Sequence, residues 1–85
     1  MPGSRQRMIF AELPYEIAGA EGSVVRWRGW AEDARRRAAD PQASPEDVVL
    51  YQHLAQTADL QAAEYLLEVA DLRAQLADMQ GTPHA

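Results

Sequence analysis

The side chains that could perform chemistry are few. No cysteine occurs, and the two histidines, His53 and His84, lie far apart in the sequence. Glu64, Glu68 and Asp71 follow helical spacing and would share one face of a helix. Carboxylate metal sites in helical bundles also use a Glu-x-x-His motif, which this sequence lacks. We therefore interpret the carboxylates as a solvated stripe and His53 as a surface or interface residue, and we predict no metal site.

Catalytic motifs are also missing from the sequence. It contains no recognisable nucleophile–base pair and no phosphate-binding glycine loop. A small helical enzyme with its site between protomers would need several inward-facing cations, whereas the inward positions identified below are all apolar. We predict a non-enzymatic protein that binds no cofactor.

Arg35, Arg36 and Arg37 form a basic cluster. One hypothesis is a small dimeric nucleic-acid-binding regulator whose cluster contacts phosphates. The other is structural, because cations stabilise a helix C-terminus and Glu46 and Asp47 would lie just across the turn. A net charge of −5 argues against nucleic acid as the partner, so the regulator stands as the alternative.

Composition suggests a source and a location. The chain has no lysine, eight arginines and 16 alanines, which is typical of GC-rich coding. We expect an actinobacterium or one of its phages. No run of about 18 apolar residues could span a membrane, and no apolar segment follows Arg5 and Arg7 as in a secretory signal. We expect a cytoplasmic location, or a place in a virion if a phage encodes the chain.

Terminus signals divide the chain into two helices. Ser44 can cap a helix whose first residue is Pro45, where the missing N–H costs nothing. Gly81, followed by Pro83, is a typical helix stop. The predicted division is an N-terminal arm at 1–7, a helical hairpin at 8–80 with helices at about 14–39 and about 45–80, and a disordered tail at 81–85.

Apolar residues recur at alternating steps of three and four in both halves, a series that we call the inner seam. Its members are Phe10, Leu13, Ile17, Ala20, Val24, Trp27, Ala31, Ala34 and Ala38, then Val48, Tyr51, Ala55, Ala58, Ala62, Tyr65, Val69, Leu72, Leu76 and Met79. No strand pattern has this period. The sequence predicts an all-α fold, an antiparallel two-helix hairpin in which Ile17 meets Val69 and Leu13 meets Leu72.

Pro14 leaves two possibilities for the first helix. Proline either opens this helix or kinks a longer one. Residues 45–80 would span about 54 Å and residues 14–39 only about 39 Å. We therefore expect residues 8–13 to be ordered, either helical or extended, along the far end of the second helix.

Each helix carries a further apolar series away from the inner seam. On the second helix it is Leu60, Ala63, Leu67, Ala70 and Ala74, continuing to Ala77; on the first it includes Tyr15, Ala18, Gly22, Val25 and Gly29. A lone hairpin buries one seam, so a second seam indicates another partner helix. The glycines of the first helix either allow close packing or mark a break near Gly19–Ser23.

Association is expected from size as well. A two-helix hairpin without disulfides or metals buries little apolar surface, so chains of this size depend on association. Trp27 lies in the inner seam, while Trp30 lies on its flank and could contact a partner. We predict a homo-oligomer, at least a dimer and most simply a four-helix bundle, that also binds a larger protein or assembly through a helical surface.

Overall fold

The computed structural model describes the backbone of residues 2–81 and the side chains of residues 12–81. Two helices, α1 at Pro2–Ala38 and α2 at Pro45–Gly81, account for nearly all of this chain, and residues 2–81 contain no strand. Each helix has 37 residues, and the two pack along their lengths into a hairpin of 64 × 24 × 13 Å. The predicted all-α hairpin is confirmed. Of the predicted tail at 81–85, Gly81 is the last residue of α2, and residues 82–85 lie outside the described residues.

α1 begins at Pro2, earlier than the predicted start at about residue 14. Residues 2–7 of the predicted arm are helical, residues 8–13 are helical rather than extended, and the helix continues through Pro14. A proline inside a helix removes one backbone hydrogen bond and costs about 3 kcal/mol. Leu13 and Ile17 on either side of it are buried, and each buried side chain contributes about 1.5–3 kcal/mol. Packing on α2 therefore offsets the cost of the proline.

α1 also shows no break at Gly19–Ser23, so one of the two predicted alternatives is excluded. The Ser23 hydroxyl donates a hydrogen bond of 3.2 Å to the Gly19 carbonyl oxygen one turn earlier. Ser23 Oγ in turn accepts a bond of 3.0 Å from the Arg26 guanidinium. The helix therefore stays continuous across Gly19 and Gly22, although glycine is a weak helix former, and these local hydrogen bonds lie along that segment.

The turn between the helices is closed by local hydrogen bonds. The Asp47 amide donates to Ser44 Oγ at 3.1 Å, which is the predicted cap at the start of α2. Before it, the Gln42 amide donates to Asp40 Oδ1 at 2.9 Å, and the Ala43 amide donates to the Asp40 carbonyl at 3.0 Å. Asp40 and Ser44 thus satisfy backbone donors on both sides of the reversal.

The core follows the inner seam. All eleven residues that are buried among positions 12–81 belong to it: Leu13, Ile17, Ala20, Val24, Ala31, Ala34, Ala55, Ala58, Ala62, Val69 and Leu72. Trp27, Tyr65 and Leu76 of the same seam are half-buried, and no polar side chain among residues 12–81 is buried. The predicted meeting of Leu13 and Ile17 with Val69 and Leu72 is confirmed, because all four lie in one cluster. The side chain of Phe10 lies outside the described residues.

Candidate interaction surfaces

The predicted outer series of α2 is exposed. We call Leu60, Ala63, Leu67, Ala70 and Ala74 the α2 outer face, and all five are open to solvent. Leu60 is 66% and Leu67 72% exposed, and their helical spacing with the three alanines puts all five on one apolar surface. Glu64 and Asp71, one turn beyond the two leucines, are exposed beside them. This surface is therefore an apolar ridge with an acidic border.

The corresponding surface of α1 contains two glycines, where no side chain projects from the helix. The α1 outer face consists of Tyr15, Ala18, Gly22, Val25 and Gly29; Gly22 is half-buried and the others are exposed. A Cβ added at Gly29 would meet nothing within 4 Å, and one added at Gly22 would meet only the Arg26 guanidinium at 3.7 Å. The helix backbone is consequently open to another element at Gly29, whereas at Gly22 the Arg26 guanidinium lies alongside it.

Trp27 and Trp30 form an aromatic pair on the flank of the hairpin. Their ring centroids lie 4.7 Å apart with the planes at 87°, an edge-to-face arrangement. Trp27 is half-buried, as its place in the inner seam predicts, whereas Trp30 is 54% exposed. Trp30 therefore packs against the half-buried Trp27 and leaves about half of its surface open to solvent.

The arginine cluster is partly engaged within the hairpin. Arg35 is ion-paired with Asp59 across the two helices, and Arg37 Nε lies 3.0 Å from Asp33 Oδ2. Arg37 also donates a hydrogen bond of 3.5 Å to the Tyr51 hydroxyl and lies 5.6 Å from that ring's centroid. The Tyr51 bond, followed by the charge of Asp33, raises the pKa of Arg37 above its ordinary value, so this residue stays cationic.

Arg36 differs from its two neighbours. It is exposed, and within the described part of the chain it forms no ion pair. Only one of the three predicted phosphate-binding cations is thus left without a carboxylate neighbour.

A side of the hairpin that the sequence prediction missed is organised by ion pairs between the helices. Arg73 Nη2 lies 3.1 Å from Glu21 Oε1, and Arg35 pairs with Asp59 farther toward the turn. A shallow groove lies at the Glu21–Arg73 pair, and its other lining residues are Val24, Val25, Arg28, Leu66 and Val69. A signal was present in the sequence: Glu21 and Arg35 have the same separation as Asp59 and Arg73, with the carboxylate first in both, so that antiparallel pairing sets each carboxylate opposite an arginine.

Sequence reasoning also missed exposed apolar residues near the turn. Val49, Leu50 and Leu54 of α2 are all at least 44% exposed. They lie among polar residues in the first turns of α2, at the turn end of the hairpin. Their signal was hydropathy alone, because they follow neither of the two apolar series.

The remaining candidates are surface groups. Glu64, Glu68 and Asp71 are exposed, and a shallow depression beside Tyr65 and Gln61 is lined by the first two. No group of three or more histidines and carboxylates within residues 2–81 is placed to hold a metal ion. His53 is exposed, and His84 lies outside the described residues. Neither helix, over its described length, is long and apolar enough to cross a membrane.

Comparison with known proteins assigns no family. No protein-family model matches the chain, and no curated protein or solved structure has significant similarity to it.

Proposed function

We propose that this protein is a non-enzymatic interaction and assembly protein that associates with itself through its helices and offers a helical face to a larger partner. The observation that carries the proposal is the exposure of Leu60 and Leu67 on one helix and Val25 on the other, at 66%, 72% and 71%. Apolar residues of this size at regular helical spacing on a folded surface are typical of interaction sites.

The small core supports the same proposal. Eight of the eleven buried residues among positions 12–81 are alanines or valines of modest size, and only Leu13 among the large side chains described is almost fully enclosed. A hairpin with such a core buries little apolar surface for its length, and covering an outer face would add to it.

The test is sedimentation equilibrium at micromolar concentration. Wild-type protein is expected to be at least a dimer. Leu60→Glu with Leu67→Glu should weaken association at least about 100-fold, because burial of each leucine contributes about 1.5–3 kcal/mol. Gln61→Glu with Gln75→Glu is the matched control, since it adds the same charges to α2 outside the outer face and should leave the mass unchanged.

Circular dichroism separates association from folding. Because both leucines are exposed, the double variant should keep its helix content at high protein concentration. Trp27→Glu should lose more, since that side chain is partly enclosed between the helices. A well-folded wild-type monomer, or a double variant with native mass, would contradict self-association through the α2 outer face.

A further inference from the structure

The two helices differ in charge. α1 carries seven arginines and five carboxylates, giving a net charge of +2, whereas α2 carries one arginine and seven carboxylates, giving −6. Two copies that meet α2 against α2 therefore place like charges together. Two copies that meet α1 against α2 place opposite net charges together, which favours encounter and register.

Ion pairs inside the hairpin sharpen this difference. The one arginine of α2, Arg73, is paired with Glu21 of α1. This pair uses a negative charge of the net positive helix and the positive charge of the net negative helix. Along the middle of the α1 outer face, Arg26 and Arg28 are exposed, and neither forms an ion pair among the described residues. The border of the α2 outer face has the opposite sign, with Glu64 and Asp71 exposed beside the leucines.

The shapes of the two faces are complementary as well. Leu60 and Leu67 are seven residues apart on α2, and Gly22 and Gly29 are seven residues apart on α1. Each pair is thus separated by about 10.5 Å along its helix. The open surface at Gly29 gives a protruding leucine side chain of another molecule room to approach the α1 backbone, and at Gly22 the neighbouring group is the end of the flexible Arg26 side chain, which can move aside.

We propose that the α2 outer face of one copy docks on the α1 outer face of the next. This inference rests on the proposed self-association and specifies its geometry. The two outer faces lie on opposite sides of the hairpin, because each points away from the shared inner seam. Contact between unlike faces is heterologous, and it builds a ring or an open chain of hairpins. The closed, isologous four-helix dimer that is the simplest expectation from the sequence is not the product.

A complementation experiment tests this geometry. One variant, Leu60→Glu with Leu67→Glu, blocks the α2 outer face; another, Val25→Glu with Gly29→Glu, blocks the α1 outer face. Neither adds a buried side chain, and circular dichroism verifies that both fold. Each variant alone should be monomeric in sedimentation equilibrium. An equimolar mixture should form a one-to-one heterodimer and stop there, since each variant retains the face that the other has lost.

The other outcomes overturn the inference in distinguishable ways. If the α1-face variant alone still dimerises and the mixture forms no heterodimer, the contact is isologous through α2, and self-association stands while this geometry fails. The reverse result indicates an isologous contact through α1. If both variants assemble like wild type, neither face is used. If wild-type protein is monomeric, the proposed self-association fails together with the inference.

Salt dependence of the wild-type protein provides a test that needs no variant. Salt screens the attraction between α1 and α2 of neighbouring copies. We expect the dissociation constant to rise roughly tenfold between about 0.05 M and about 0.5 M NaCl. A dissociation constant that falls over this range would indicate contact between two acidic α2 faces and would overturn the inference.

Discussion

The two halves of the hairpin are held together by different means. Far from the turn, the core consists of the larger side chains Leu13, Ile17, Val69 and Leu72. Toward the turn it consists of alanines, namely Ala31, Ala34, Ala55 and Ala58. The far half therefore depends on burial of large apolar side chains, and the turn half on the packing of small side chains supported by contacts around its edge.

Most of these edge contacts lie in the turn half, although the ion pair between Glu21 and Arg73 lies in the far half. Arg35 pairs with Asp59, Arg37 contacts Tyr51 of the other helix, and Ser44 caps α2. Exposed ion pairs contribute at most about 1 kcal/mol each, and a helix cap about 1 kcal/mol. The turn half is thus stabilised by many small contributions to the free energy of unfolding, and the far half by a few large ones. The two halves should therefore respond differently to substitution.

The largest effect is expected at Leu13. Leu13→Ala should lower the free energy of unfolding by about 2–5 kcal/mol, because this side chain is 1% exposed and its loss leaves a cavity against α2. Urea denaturation followed by circular dichroism measures the change. Leu50→Ala is the control, since Leu50 is half exposed and should cost much less. Equal losses for the two variants would show that the far half does not depend on burial.

An intermediate effect is expected from enlarging the alanine core. Ala31 has no exposed surface, so Ala31→Leu should force the helices apart and cost about 1–3 kcal/mol in thermal or urea denaturation. Ala77→Leu places the same side chain on an exposed position of α2 and should be nearly neutral. Stabilisation by Ala31→Leu would mean that the turn half holds unfilled space, and the contrast between the halves would disappear.

The smallest effect is expected at the cap. Ser44→Ala leaves the Asp47 amide without its side-chain acceptor and should cost about 1 kcal/mol. Hydrogen exchange should quicken at the first amides of α2 and stay unchanged around Leu72. Ser23→Ala is the comparison, because it removes a side-chain bond to the α1 backbone without uncapping a helix. Uniform acceleration along both helices would show that the two halves open together.

The inner seam could be predicted because apolar residues recur in it at regular helical spacing. Every residue buried within the described side chains lies on the three–four rhythm, and the Ser44 cap is a local signal that needs no tertiary information. The start of α1 could not be placed in this way. Pro14 is a strong local signal for a helix beginning, and burial of Leu13 and Ile17 against α2 outweighs it. Whether a helix continues through a proline depends on the free energy of packing against the other helix, and the local sequence pattern gives no information about that packing.

The surfaces were predicted only in part. The exposed leucines of the α2 outer face follow a regular spacing, so their set was recognisable, although spacing does not identify what covers them. The pairs Arg35–Asp59 and Glu21–Arg73 depend on the relative shift of the two helices. That shift is set by how the inner-seam side chains fit together, which periodicity alone leaves undetermined.

The elongated shape of the hairpin affects how the molecule moves through solution. Its radius of gyration is 19.0 Å, whereas a compact globule of this chain length would have one of about 12 Å. A rod experiences more friction than a sphere of equal mass, and its diffusion is correspondingly slower. A single hairpin therefore elutes from a sizing column at the volume of a heavier globular protein, so elution volume by itself exaggerates the number of associated copies.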